Sequence, residues 1–216
     1  VPSSVLGRSN AVLPSETLTV GCVGMGGQGN GDMASFLAES DARVVAVCDV
    51  DSRRLQSAKE RVDRTYGSND CAAYGDFREI IARDDIDIVQ LTTPDHWHAV
   101  IAIVAAKAGK DIYGEKPFSH TLREGRAMCD AVERYGRVWQ TGSWQRSRAN
   151  FRFACELVLN GRIGTVRHVD VGLPQGFSAG GDEGTTVTTP PKELDYDFWL
   201  GPAPKVPYNK QRAHHF

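Results

Sequence analysis

The apolar run Leu18-Thr-Val-Gly-Cys-Val23 leads directly into Gly24-Met-Gly-Gly-Gln-Gly29, and no other stretch of the chain constrains the fold as strongly. A short apolar run that ends on glycines reads as a buried parallel strand. The first glycine permits a tight strand-to-helix turn, the second lets the backbone approach a pyrophosphate, and the third lets a helix pack close to the strand. Such a helix offers free N–H groups and the positive end of its dipole to an anion. Gly24, Met25, Gly26, Gly27, Gln28 and Gly29 are therefore candidate cofactor-binding residues. The same pattern alone also occurs as a plain glycine turn; the preceding strand and following helix favour the nucleotide reading.

Strand and helix patterns alternate from there. A helix is expected over roughly 30–39, then a strand over Arg43–Cys48. Asp51 caps a helix over Ser52–Tyr66, with Leu55, Ala58 and Val62 on one face. Asp76 and Glu79 have the spacing of a capping box. Ile86–Leu91 reads as a strand, and His98–Ala108 as an apolar helix closed by Gly109. A strand follows at Asp111–Gly114. Thr121 and Glu124 make a second capping box, opening a helix that runs to Tyr135 and stops at Gly136. Val138–Thr141 is the last strand of the set. The pattern predicts an α/β fold with a doubly wound parallel Rossmann sheet.

After Ser143 the pattern changes. A helix over Phe151–Asn160 and a strand over Val166–Val171 are followed by a stretch rich in Gly, Pro, Thr and Asp, unusually long for a compact domain. The expected organisation is a flexible linker over 1–17, a nucleotide-binding domain over 18–145, and a partial α+β substrate domain over 146–216. Ser- and Pro-rich Val1–Thr17 lacks a basic segment and an apolar core, so it is not itself a signal peptide. It fits either the stub of a cleaved export signal, which a family resemblance drawn below implies to be of the twin-arginine kind, or an ordinary flexible terminus or trimmed fragment; the location thus stays open between export and cytoplasm.

The net charge of -2, with Lys and Arg spread along the 216 residues, builds no basic face for nucleic acid. No apolar run is long enough to span a bilayer. The five cysteines share no metal-like spacing and no clear disulfide framework; Cys22 and Cys48 fall in core strands as small hydrophobes.

Further candidates follow the same sheet. Asp49 stands twenty positions after Gly29, at the end of the second strand. A carboxylate there accepts from adenosine ribose hydroxyls and repels a 2'-phosphate, favouring NAD over NADP; Arg53 and Arg54 lie close enough to a phosphate to blur that preference. Thr92, Thr93 and Pro94 leave the strand that ends at Leu91, in a loop whose resemblance to one of a known family, drawn below, implies that it passes along the dinucleotide. His96 and His98 do not share a helix face, so no metal site is expected. His98 reads as a helix-start or packing residue before a catalytic one, while remaining a candidate at the cofactor. Glu115-Lys116-Pro117 ends another strand, which puts Lys116 at the carboxyl edge of the sheet, where such folds bind ligands.

The ordered set of glycine loop, Asp49, Thr93-Pro94-Asp95-His96-Trp97-His98 and Glu115-Lys116-Pro117 resembles the Gfo/Idh/MocA family of oxidoreductases, over essentially Leu18–Phe216. The resemblance implies NAD-dependent hydride transfer with a sugar, cyclitol or related polyol, and a homo-oligomer when the protein is full length. It also implies that Lys116 contacts the nicotinamide side and the hydroxyl being oxidised, with Glu115 beside it. Trp144, Gln145 and Arg146 resemble the loop that opens toward substrate. Leu194–Pro202 resembles a substrate-domain insertion whose aromatic residues pack. The family's later aspartate and histidine acid/base pair has no match before Phe216. Two other readings stay open: a glycosidase acting by transient oxidation, and a dinucleotide-binding module without turnover.

Overall fold

The computed structural model describes residues 14–173 and 186–214. Within them a parallel sheet of six strands runs in the order β3-β2-β1-β4-β5-β6. The strands are β1 (Leu18–Val23), β2 (Ala42–Cys48), β3 (Ala72–Tyr74), β4 (Ile88–Leu91), β5 (Asp111–Glu115) and β6 (Trp139–Gly142). Helices α1 (Gly27–Ala38), α2 (Ser52–Tyr66), α3 (Phe77–Ile81), α4 (Asp95–Lys107) and α5 (Leu122–Arg134) connect them. The strand order reverses between β1 and β4. That switch point opens a crevice beyond the carboxyl ends of the strands.

Alternation along β1 builds the two faces. Val20 and Cys22 enter one core with Met33, Val47, Ala58 and Val62. Val23 enters the other, with Ile80, Leu91, Ala102, Ala105 and Met128. Gly21 lies on that second face, where an added Cβ would stand 2.6 Å from Ile80 Cγ2. Its bare backbone is what lets α3 approach the sheet.

Local signals set most boundaries. Asp51 accepts from the amides of Arg53 and Arg54 at the start of α2. Thr121 and Glu124 form a reciprocal capping box on α5. Gly109 and Gly136 adopt φ 81° and 60° just beyond the helices they end. Asp76 accepts from the amide of Arg78, but Glu79 gives its own amide to the Asp76 carbonyl. The box expected there is thus a simple cap.

Several expectations need correcting. Helix α1 begins at Gly27, three residues early, because its glycine-rich first turn carries no apolar periodicity. Helix α4 begins at Asp95, where an acid in the first turn suits the helix dipole. The three-residue strand β3 is too short to show a period of its own. The strand expected over Val166–Val171 is absent: no described strand lies beside it to pair, and Val169 and Val171 are exposed. In place of structureless chain after Gly172, the described residues hold α7 (Tyr196–Leu200) and α8 (Lys210–His214), after α6 (Ala149–Leu159). The linker expected over 1–17 lies outside the described residues as far as residue 13; Pro14–Glu16 form a 3-10 turn.

Candidate functional site

The strand register brings the expected residues to one edge. Val23 pairs with Cys48 and with Leu91, Leu91 with Gly114, and Glu115 with Gly142. The residues just past these strand ends, Gly24, Asp49, Thr92 and Lys116, line a single cleft of about 720 Å³. That volume suits a small-molecule or cofactor site.

The loop glycines divide into two kinds. Gly24 has φ 88°, and a Cβ there would lie 2.5 Å from the Thr92 carbonyl oxygen. At Gly29 a Cβ would lie 1.9 Å from the Gly24 carbonyl oxygen. These two positions shape the turn. By contrast Gly26 would bring its Cβ only to 3.5 Å from Arg54, and Gly27 meets nothing within 4 Å. These two face the cleft and leave the helix N-terminus open to an anion. Gly29→Ala is accordingly expected to cost about 3 kcal/mol or more and to lower Tm by roughly 10 °C. Thermal unfolding followed by circular dichroism checks this; an unchanged Tm would contradict the packing argument.

Asp49 binds the loop directly. Its Oδ2 accepts from the Met25 amide at 2.6 Å and its Oδ1 from the Asp51 amide at 2.8 Å. Burial pushes its carboxyl above the usual range, while those two amides and Arg54 pull it back. Each oxygen keeps a lone pair for a further donor. Met25 contributes only its backbone, since its side chain lies in the core.

Behind the loop Gln28 links two acids. Its Nε2 donates to Asp32 at 2.8 Å and to Glu115 at 3.3 Å. Glu115 is buried, and burial first, then Asp32, raises its carboxyl; its Oε2 accepts from the Lys116 amide at 3.2 Å. An added Cβ at Gly142 would strike Glu115, so bare backbone at the end of β6 makes room for the carboxylate. Lys116 itself is exposed and lines the cleft, followed by a cis bond to Pro117.

His98 is buried and lies outside the cleft lining. Its Nδ1 is 2.8 Å from the Pro117 carbonyl oxygen and its Nε2 is 2.9 Å from that of Thr93. A neutral ring carries one N–H, so only the imidazolium donates to both. Either way His98 ties the Lys116 loop to the Thr93 loop, as a packing residue. His96 points elsewhere, to the Trp199 carbonyl. No cluster of three or more metal-ligating side chains exists among the described residues. No helix among them is long and apolar enough to cross a membrane.

Like Met25 and His98, two further groups of expected residues lie outside the cleft lining. Arg53 turns to Glu193 at 3.6 Å, and Arg54, next on the helix, lines the cleft instead. Successive helix positions diverge by about 100°, so only one of the pair can face inward. Trp144, Gln145 and Arg146 form an exposed 3-10 turn, with Arg148 stacked 4.3 Å over Trp144. Although β6 ends beside Glu115, the chain turns away after Ser143.

Sequence reasoning missed Arg54 as the inward arginine, Asp32, and the aromatic wall of Trp97, Phe198 and Trp199. Asp32 carries a weak signal, an acid three residues past Gly29. Only the tertiary contacts bring Trp199 to the cleft.

Comparison with known proteins follows the same lines. The Gfo/Idh/MocA model, an oxidoreductase family with an NAD-binding Rossmann fold, matches residues 18–143. The model of the family's C-terminal alpha/beta domain matches residues 155–216. The chain is 35% identical over 122 residues to a glycosyl hydrolase family 109 protein of Shewanella sp. (strain ANA-3), covering 55% of this chain and 26% of that protein. It is 31% identical over 141 residues to an alpha-N-acetylgalactosaminidase of Shewanella oneidensis, covering 62% and 30%. The chain thus spans under a third of the length of these relatives. Among solved structures, scyllo-inositol dehydrogenase from Lactobacillus casei with bound NAD(H) and scyllo-inositol superposes with TM-score 0.61 at 25% identity, covering 68% of this chain and 42% of that one. A probable dehydrogenase from Thermotoga maritima gives TM-score 0.61 at 31% identity, covering 68% and 42%.

Proposed function

Because the chain belongs to the Gfo/Idh/MocA family of oxidoreductases, with an NAD-binding Rossmann fold over residues 18–143, we propose that it transfers a hydride between NAD and a sugar, cyclitol or related polyol. The observation that carries this reading is the shared cleft: the open glycines, Asp49, Thr93 and Lys116 all line one space. The residues present suit a dinucleotide. Gly26 and Gly27 leave room beside the first turn of α1, and the buried Thr93 hydroxyl has no partner among the described residues. NAD held there supplies the hydride acceptor.

Each side chain then has a stated task. The first turn of α1 holds the pyrophosphate through its free amides. Asp49 accepts from the adenosine ribose hydroxyls. Glu115, fixed by Gln28 and the Lys116 amide, orients the turn that carries Lys116. Lys116 Nζ binds the substrate hydroxyl and takes its proton as hydride leaves the same carbon. The nucleotide domain of this reading extends over 18–145 and the substrate domain begins after it. Incubation of the protein with NAD and a polyol panel, followed at the NADH absorbance, tests the proposal; no reduction with any member, in protein shown to bind NAD, sinks it.

One observation favours a second reading. Relatives named as glycosyl hydrolase and alpha-N-acetylgalactosaminidase match 55% and 62% of this chain. Under that reading hydride leaves and returns around an elimination step, so aryl glycosides are cleaved without net NADH.

Asp49 gives a cofactor preference. A 2'-phosphate about 4 Å from its carboxylate is opposed by roughly 4 kcal/mol at an effective dielectric near 20. Arg54 in the cleft offsets part of this. NAD(H) is expected to bind more tightly than NADP(H), and Asp49→Ser to narrow the gap at least about tenfold, equivalent to 1.4 kcal/mol. Quenching of tryptophan fluorescence measures both; equal affinity in the wild type removes the proposed role of Asp49.

A further inference from the structure

We propose that residues 193–213 form a strap belonging to the dinucleotide site, which roofs the purine end of the cofactor and sets how fast it leaves. The inference rests on the NAD reading above.

The strap is fastened to both lips of the crevice. On the β2 side, the Ser52 amide donates to the Glu193 carbonyl at 2.9 Å and the Asp195 amide to the Val50 carbonyl at 3.0 Å. Asp51 and Leu194 form an antiparallel bridge between them. On the β4 side, the Trp199 carbonyl accepts from Trp97 Nε1 at 3.0 Å and from His96 Nε2 at 2.9 Å. A carbonyl only accepts, so His96 carries its proton on Nε2. These lips are the segments that follow Asp49 and Thr93, into the first turns of α2 and α4. Separating them to admit or release a dinucleotide requires breaking strap contacts.

The strap does not simply fill the space it spans. Leu194, Leu200 and Tyr208 are buried and anchor it. Phe198 and Trp199 stay half-buried and line the same cleft as Gly26 and Asp49, together with Pro202, Pro204 and Arg212. Phe198 is held edge-on to Trp97 at 5.4 Å and stacked on Phe77 at 6.1 Å. Aromatic and proline surfaces with an arginine beside them suit a flat heteroaromatic base next to phosphate. The purine end of a dinucleotide, which the Asp49 side would receive, has that chemistry.

Gly201 provides the test. It has φ 48°, and a Cβ there would stand 2.1 Å from Trp97 Cζ2. Gly201→Ala should therefore push the strap off Trp97 while leaving the glycine loop and Asp49 intact. The expected result is NADH release about tenfold faster in stopped-flow displacement by excess NAD, a change of 1.4 kcal/mol. If the variant does not fold, hydrogen exchange on the wild type decides: saturating NAD should slow exchange in the strap peptide around Leu200 and Gly201. A wild-type release rate from folded Gly201→Ala, or strap exchange that NAD leaves unchanged, overturns the strap. Failure of the wild type to bind NAD overturns the cofactor reading itself.

Discussion

Lys116→Ala is expected to slow hydride transfer by about a hundredfold or more, the scale of losing a positioned proton-transfer group. NAD affinity should change by only a few-fold. The two outcomes separate because different elements carry them. The pyrophosphate and ribose contacts come from the end of β1, the start of α1 and Asp49, whereas Lys116 follows β5 with an exposed side chain. The fold should survive, because the neighbouring turn is held by other groups: Glu115 on the Lys116 amide, which alanine retains, and His98 on the Pro117 carbonyl. A group that acts mainly in the transition state lowers turnover and catalytic efficiency together. Single-turnover formation of NADH with the best polyol substrate measures this. If the variant reacts at the wild-type rate, Lys116 is a structural lysine and the proton is taken elsewhere.

Gly26→Val should abolish detectable NAD binding in a protein that remains folded. The contrast with Gly29 is the reason. A Cβ at Gly29 collides with the backbone of its own turn, while one at Gly26 meets only the end of the Arg54 side chain at 3.5 Å. Arg54 can move at little cost. The valine branches then stand where a pyrophosphate must approach the backbone. Tryptophan quenching should show no saturation with NAD, at a Tm within a few degrees of the wild type. Ordinary NAD affinity in the variant would mean that the pyrophosphate does not pass over Gly26.

The structure leaves Asp32 and Glu115 as a close acidic pair joined by Gln28. Asp32 also takes a weak hydrogen bond from Thr92 Oγ1 at 3.4 Å. Burial raises both carboxyls. The pair lies directly behind the glycine loop. Its placement explains why Gln28 matters as a side chain when most of that loop serves through its backbone.

The nucleotide domain was legible because its signals are local. Apolar runs separated by glycines, the cap at Asp51 and the box at Thr121 each act within a few residues, and a parallel sheet with intervening helices has few alternatives. The positions of Gly24, Asp49 and Lys116 follow from that topology, since each comes just after a strand, and Gly29 follows in the first turn of the helix after β1. Local signals failed at Val166–Val171, whose valines suit a strand but have no neighbouring strand among the described residues. They failed also at the first turn of α1, where glycines hide the helix start.

What the sequence by itself determined is the order of elements and the edge of the sheet at which the chemistry gathers, because both depend on short-range periodicity and on the handedness of crossovers. The choice of Arg54 over Arg53 depended on the rotation of α2 against the sheet. The role of His98 depended on which two carbonyls came within reach from distant loops. The aromatic wall at the mouth of the crevice depended on a segment that returns from residues 193–213 to lie across loops some hundred or more positions earlier. Only the tertiary structure decided these three, because each rests on contacts between residues whose separation along the chain leaves no pattern within it.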